Sequence, residues 1–127
     1  MKKIRIMIVE DEQDVSLLVT KRLRAKGYDV CSLSKGEEVL EKIGSLKADV
    51  ILLDVWLPDV SGIEVFKRLR SEPSTQEIPV VFFSANPLQE EFCLKELGAD
   101  GFIKKPYEAG ELLEIIKKIS EESRRRL

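Results

Sequence analysis

The sequence predicts an α/β fold in three layers, a five-stranded parallel sheet with helices on both faces. Two observations predict it. Short apolar runs such as 50–53 and 79–83 lack the polar alternation of a half-exposed strand, the pattern of strands buried on both sides. Between such runs lie longer stretches whose apolar residues recur at helical spacing, so strand and helix alternate five times along the 127 residues.

That length is one domain of common size, large enough for a core without metal or disulfide staples. Hydrophobic residues make up 43% and charged residues 35%, a soluble globular composition. The net charge of −2 gives no general case for nucleic-acid or membrane binding. No stretch approaches the about 18 apolar residues of a membrane span. The basic start, Met1 to Lys3, precedes an apolar run too short for a signal peptide, so a cytoplasmic location is expected. Cys31 and Cys93 lack metal-ligand spacing and read as reduced thiols. There is no histidine, which excludes a Ser-His-Asp hydrolase, a histidine-ligated metal and a phosphohistidine on this chain.

Residues 4–9 form the first strand and end in Glu10, Asp11 and Glu12. Asp14 is placed to cap a helix over 15–25, with Val15, Leu18, Val19 and Leu23 inward and Gly27 as its stop. A shorter strand covers 28–33. Ser34-Lys35-Gly36 turns into a helix over 37–46 that buries Val39, Leu40, Ile43 and Leu46. The third strand, 50–54, is a continuous apolar run ending in Asp54; Pro58 and Gly62 mark the loop before a helix over 62–71 that buries Val65, Phe66 and Leu69. Pro79 suits the first position of a fourth strand over 79–83, followed by Ser84 and a helix over 88–97 closed by Gly98. A short fifth strand, 101–104, leads through Lys105-Pro106 to a helix over 109–122 with Leu112, Leu113, Ile116 and Ile119 inward. Five such units with right-handed crossovers suit the flavodoxin-like strand order 2-1-3-4-5, which sets strands 1 and 3 side by side at the switch point.

Ligands of open α/β sheets bind at the carboxyl ends of the strands. Here those ends carry Glu10 and Asp11, Asp54, Ser84 and Lys105. Each has a plainer reading alone: Asp11 as the neutraliser of a helix start, Asp54 and Ser84 as turn residues, Lys105 as a solvated lysine. Together they meet at one end of one sheet. Clustered carboxylates repel one another and attract a hard divalent cation, with Mg²⁺ the usual choice beside phosphate oxygens. Asp54 beside such a cation can take a phosphoryl group as an acyl phosphate, with Lys105 and Ser84 directed at its oxygens.

The stretches Ile-Val-Glu-Asp-Glu (8–12), Leu-Leu-Asp-Val-Trp-Leu-Pro-Asp-Val-Ser-Gly (52–62), Phe-Phe-Ser-Ala (82–85) and Gly-Ala-Asp-Gly-Phe-Ile-Lys-Lys-Pro (98–106) resemble the receiver domain of bacterial two-component response regulators. The resemblance extends from residue 4 to about 120, and the expectation is a single receiver domain over 1–127 with no effector domain in this sequence, either a stand-alone regulator or a receiver excised from a longer protein. It implies that Asp54 accepts a phosphoryl group from a phosphohistidine on a sensor kinase or phosphotransfer protein. It implies that Asp11 and Asp54 bind Mg²⁺ by side chain, Trp56 by its backbone carbonyl and Glu10 through water. Ser84 and Lys105 would contact the phosphoryl group, and the Lys105–Pro106 peptide would be cis. On phosphorylation Ser84 would move in, Phe102 would turn inward behind it, and the face of helix 4, strand 5 and helix 5 would change for a downstream partner. Such a protein is a switch that catalyses only its own phosphorylation and dephosphorylation.

The sequence departs from the family pattern in three places, with Ser84 for the more frequent Thr, Phe102 for Tyr and Glu10 for Asp. Trp56 is a bulky neighbour of the acceptor, expected to restrict water access and to lie partly buried under its loop. Receivers joined to winged-helix DNA-binding domains dimerise through charged pairs where this chain has Glu91, Gly101 and Ile115, so that dimer is not expected, and a monomer or weak dimer is. The terminal arginines read as a solvated helix end rather than a nucleic-acid patch. Three competing readings stay open. A haloacid-dehalogenase-type phosphohydrolase would need a second Asp where Trp56 stands. A flavodoxin-like cofactor module would need a phosphate-cradling loop where Glu10-Asp11-Glu12 stands. The last is a receiver-like scaffold that works without phosphate.

Overall fold

A computed structural model describes residues 3–86, 88–105 and 108–125. The strands are β1 (Arg5–Val9), β2 (Asp29–Leu33), β3 (Val50–Asp54), β4 (Val80–Ser84) and β5 (Gly101–Lys104). Between and after them lie α1 (Gln13–Ala25), α2 (Gly36–Leu46), α3 (Gly62–Ser71), α4 (Gln89–Glu91) and α5 (Ala109–Arg125). All four pairings are parallel and the order is β2-β1-β3-β4-β5, as expected.

The absence of alternation in the central strands follows from burial on both faces. On one face Met7, Val9, Ile51, Leu53, Val80 and Phe82 pack under α2, α3 and the α4 segment; on the other Ile6, Ile8, Val50, Leu52, Val81 and Phe83 pack under α1 and α5. β3 and β4 are buried along their whole length.

The amino ends of the strands are tied by two arginines. Arg5 donates from Nε to Asp29 (2.8 Å) and from Nη1 to the Leu46 carbonyl, while its backbone N–H donates to Asp49 (2.8 Å). Arg70 donates to the Ile78 carbonyl (2.8 Å) and to Asp100 (3.0 Å), and its guanidinium lies 4.6 Å from the centre of the Phe66 ring. The same Asp100 oxygen accepts the Val80 N–H at 2.8 Å.

The structure corrects three local expectations. The N-cap of α1 is Glu12, with no side-chain capping hydrogen bond, and Asp14 sits in the first turn, where its charge still favours the helix dipole. Leu18 is 45% exposed, because Val15, Val19 and Leu23 form a stripe at spacing four that covers the sheet without it. The continuous helix expected over 88–97 is instead the single turn of α4 running into a π-helical turn, Phe92–Glu96. There the Leu97 N–H reaches back five residues to the Phe92 carbonyl at 3.0 Å. Only Cys93 is buried in this segment, so little packing enforces ordinary helical spacing.

Candidate functional site

Parallel strands in this order bring the ends of β1 and β3 together. Glu10, Asp11 and Asp54 each present a carboxylate oxygen within 4.8 Å of the others. Glu10 and Asp54 are buried and Asp11 is exposed. The Glu10 N–H donates to the Leu33 carbonyl at 3.0 Å, which fixes it at the sheet end. Asp54 accepts the Trp56 N–H on Oδ1 at 3.0 Å.

Lys105 completes the cluster. Its Nζ lies 2.6 Å from Glu10 Oε1, 3.0 Å from Asp54 Oδ2 and 4.5 Å from the centre of the Phe83 ring. Its N–H donates to the Ser84 carbonyl at 2.8 Å. Burial works against its charge, but the hydrogen bonds and charges of Glu10 and Asp54 outweigh burial and raise its pKa. Burial, followed by the hydrogen bond with Asp54, pushes Glu10 up to about 8 against the pull of Lys105. One lysine thus does not balance these acids.

The donor set fits a hard divalent cation. It is all oxygen, and Glu10 Oε2 is buried with no hydrogen-bond partner among the described residues.

The loop after β3 is held tightly. Gly62 opens α3, and its N–H donates to the Val55 carbonyl at 2.8 Å. A Cβ there would strike the Asp54 carbonyl oxygen and lie 2.9 Å from its carbon. Ser61 caps α3 by accepting the Glu64 N–H at 3.2 Å.

Three sequence expectations meet differences. Trp56 is 63% exposed rather than tucked under its loop, where Val55 is buried and Leu57 and Val60 are half-buried in its place. Phe102 already lies inward, 6% exposed, in one cluster with Phe66, Phe82 and Cys93. It has no hydroxyl to draw it toward water, so the inward turn expected on phosphorylation is already made. Ser84 is fully buried at the end of β4, but its hydroxyl donates to Gln89 Oε1 at 2.7 Å and accepts the Asn86 N–H at 3.1 Å. Pro106 lies outside the described residues, and the expected cis Lys105–Pro106 peptide lies there with it.

Two residues that the sequence reading passed over matter here. One is Gln89. The other is Asp59, whose two carboxylate oxygens accept the Gly36 and Glu37 N–H groups, each at 2.9 Å. Asp59 thereby caps α2 from 23 residues away and ties the loop after β3 to that helix. The one sequence signal was that Lys35, at the N-cap, offers no acceptor of its own. Desolvation of Asp59 opposes its charge, but backbone N–H groups together, those of Glu37 and Gly36 foremost, outweigh it and hold the carboxyl below its usual range. A depressed folded-state pKa contributes stability above the unfolded value that is lost as pH falls through the folded one. Asp59→Ala is therefore expected to lose about 1 kcal/mol in urea unfolding at pH 7. The gap between variant and parent should close as the acid limit is approached.

Residues 6–117 match the family model of the response regulator receiver domain. The alkaline phosphatase synthesis transcriptional regulatory protein PhoP of Bacillus subtilis is 38% identical over 116 residues, 91% of this chain and 48% of PhoP. The phosphate regulon transcriptional regulatory protein PhoB of Rhizobium meliloti is 34% identical over 89% of this chain and 50% of its own length. The chain thus spans about half the length of these curated relatives. Among solved structures, a CheY-like response regulator receiver domain protein from Methanospirillum hungatei superposes with a TM-score of 0.89 at 26% identity, covering 99% of this chain and 100% of that one. The receiver domain of the Pseudomonas aeruginosa sensor histidine kinase PA1611, solved with magnesium in its active-site cleft, gives 0.85 at 25% identity over 94% and 99%. With the sheet order and the acid cluster already in place, these matches assign the chain to the response regulator receiver domain family.

Proposed function

We propose that this domain is a phosphorylation-dependent switch in which Asp54 takes a phosphoryl group from the phosphohistidine of a sensor histidine kinase or phosphotransfer protein. The observation that carries the reading is the setting of Asp54. It is a buried carboxylate at a strand end, with Lys105 on one oxygen, a backbone N–H on the other and two more acids beside it. An Asp54 oxygen attacks phosphorus, the P–N bond to the donor histidine breaks, and an acyl phosphate remains on Asp54. The Trp56 N–H orients the carboxylate. Lys105 moves from the carboxylates toward the phosphoryl oxygens, and Ser84 donates its hydroxyl to one of them.

Asp11 and Asp54 by side chain, Trp56 by its carbonyl and Glu10 through water would hold Mg²⁺, which when bound neutralises phosphoryl oxygens. Hydrolysis of the acyl phosphate resets the switch. The readout is a changed face of helix 4, strand 5 and helix 5, presented to a downstream protein or to a further domain of a longer chain. No described helix is long and apolar enough to cross a membrane, and a cytoplasmic location suits the proposed partners. The competing phosphohydrolase is disfavoured by Trp56 in place of a second acid, and the cofactor module by the acidic end of β1.

The test is intact-protein mass after incubation with a small-molecule phosphodonor, with and without Mg²⁺. One added phosphoryl group is expected, dependent on Mg²⁺ and absent from Asp54→Asn. No added mass even at short reaction times would favour the scaffold that works without phosphate.

A further inference from the structure

The Ser84 hydroxyl has one proton, and Gln89 holds it. At 2.7 Å from Gln89 Oε1 the proton is committed, and a phosphoryl oxygen can have it only if Gln89 gives it up. We propose that Gln89 is a positioning residue that tethers Ser84 in the resting state, so that phosphorylation is read out by release of this side chain and of the helix turn it begins. The inference rests on the reading of Ser84 as a ligand of the phosphoryl group.

Three observations carry it. Ser84 is completely buried, so water does not compete for its proton and the choice is between Gln89 and the phosphoryl group. A charged phosphoryl oxygen is the stronger acceptor, so the exchange runs toward phosphate once phosphate is present. Gln89 is also the first residue of a segment with little to hold it. Its N–H reaches the Asn86 carbonyl at 3.2 Å, no residue of Gln89–Glu91 is buried, and the chain then widens into the π-helical turn. Leu88, beside it, is 86% exposed and Phe92 42%. Loss of the tether therefore reaches the surface at once. Phe102, already inside, has no comparable movement left to make.

The test compares phosphate incorporation from a small phosphodonor with Mg²⁺ in wild type, Gln89→Ala, Gln89→Glu, Ser84→Ala and the Ser84→Ala/Gln89→Ala double variant. One net hydrogen bond corresponds to about a 2- to 10-fold rise in incorporation rate for Gln89→Ala. Gln89→Glu keeps an acceptor in place and should stay at or below the wild-type rate. Because Gln89 acts through Ser84, its removal should change nothing in the Ser84→Ala background. A Gln89→Ala rate equal to or below that of wild type overturns the tether, as does the same fold-change in both backgrounds, the mark of a merely structural role. If wild type itself takes no phosphate, the phosphoacceptor reading fails and takes the tether with it, a result distinct from an unresponsive Gln89.

Discussion

Lys105→Ala is expected to cost about 3 kcal/mol of stability at pH 8, the low end for removing one partner of a buried ion pair. It should also slow phosphoryl uptake by about 100-fold, as when one preorganised charge partner is removed. The side chains involved are 17% exposed for Lys105, 0% for Glu10 and 5% for Asp54, so water replaces the ammonium poorly. The loss should depend on pH. The Glu10 carboxyl titrates near 8 in the folded protein, above its ordinary value, so its contribution to stability is full in acid and fades as pH rises through that value. Lys105 is what pulls this value down, and without it Glu10 keeps its proton to still higher pH. The gap between variant and wild type should therefore be level near pH 6, where the variant has already lost the Lys105–Asp54 contact but Glu10 keeps its proton in both proteins, and widen toward pH 9, measured as urea midpoints across the range. Mg²⁺ should stabilise the variant more than the parent, since no ammonium competes for the carboxylates.

Gly62→Ala should destabilise the domain by about 3 kcal/mol and lower phosphoryl uptake as well. The added methyl meets backbone, the Asp54 carbonyl and, at 3.1 Å, Val55 Cα, rather than a side chain that can swing aside. Relief requires moving either α3 or the end of β3, and the latter carries Asp54, the proposed acceptor. Gly44 is the internal comparison. It lies within α2, where an added methyl would have no neighbour within 4 Å, so Gly44→Ala should raise stability by about 0.5–1 kcal/mol. Opposite signs from the same chemical change, read as urea midpoints, would tie the Gly62 effect to contact with Asp54. A Gly62→Ala midpoint at or above the parent's would show that the loop yields freely.

The parts of the molecule legible in the sequence are those set by burial and by chain order. Strands shielded on both faces must be apolar throughout, which marked β1, β3 and β4, and parallel order then carried Glu10, Asp11, Asp54, Ser84 and Lys105 to one rim. Contacts chosen by tertiary geometry were not legible. Asp59 reads as a turn residue until the fold sets it against the start of α2, 23 residues away. Gln89 reads as a surface helix residue until Ser84 is seen to point at it. The π-helical turn escaped because its side chains suit either helix equally well, and one buried cysteine does not choose between them.

The arginine ties divide the labour between the two rims of the sheet. One rim is pinned by Arg5 and Arg70 to acids and carbonyls, while the other carries the carboxylates and the lysine that bridges them. Charge added at the acid rim is answered there, by Lys105 and the loops around it, at the far ends of the strands from the arginines. Strand pairing is thus anchored by groups that the added charge does not touch.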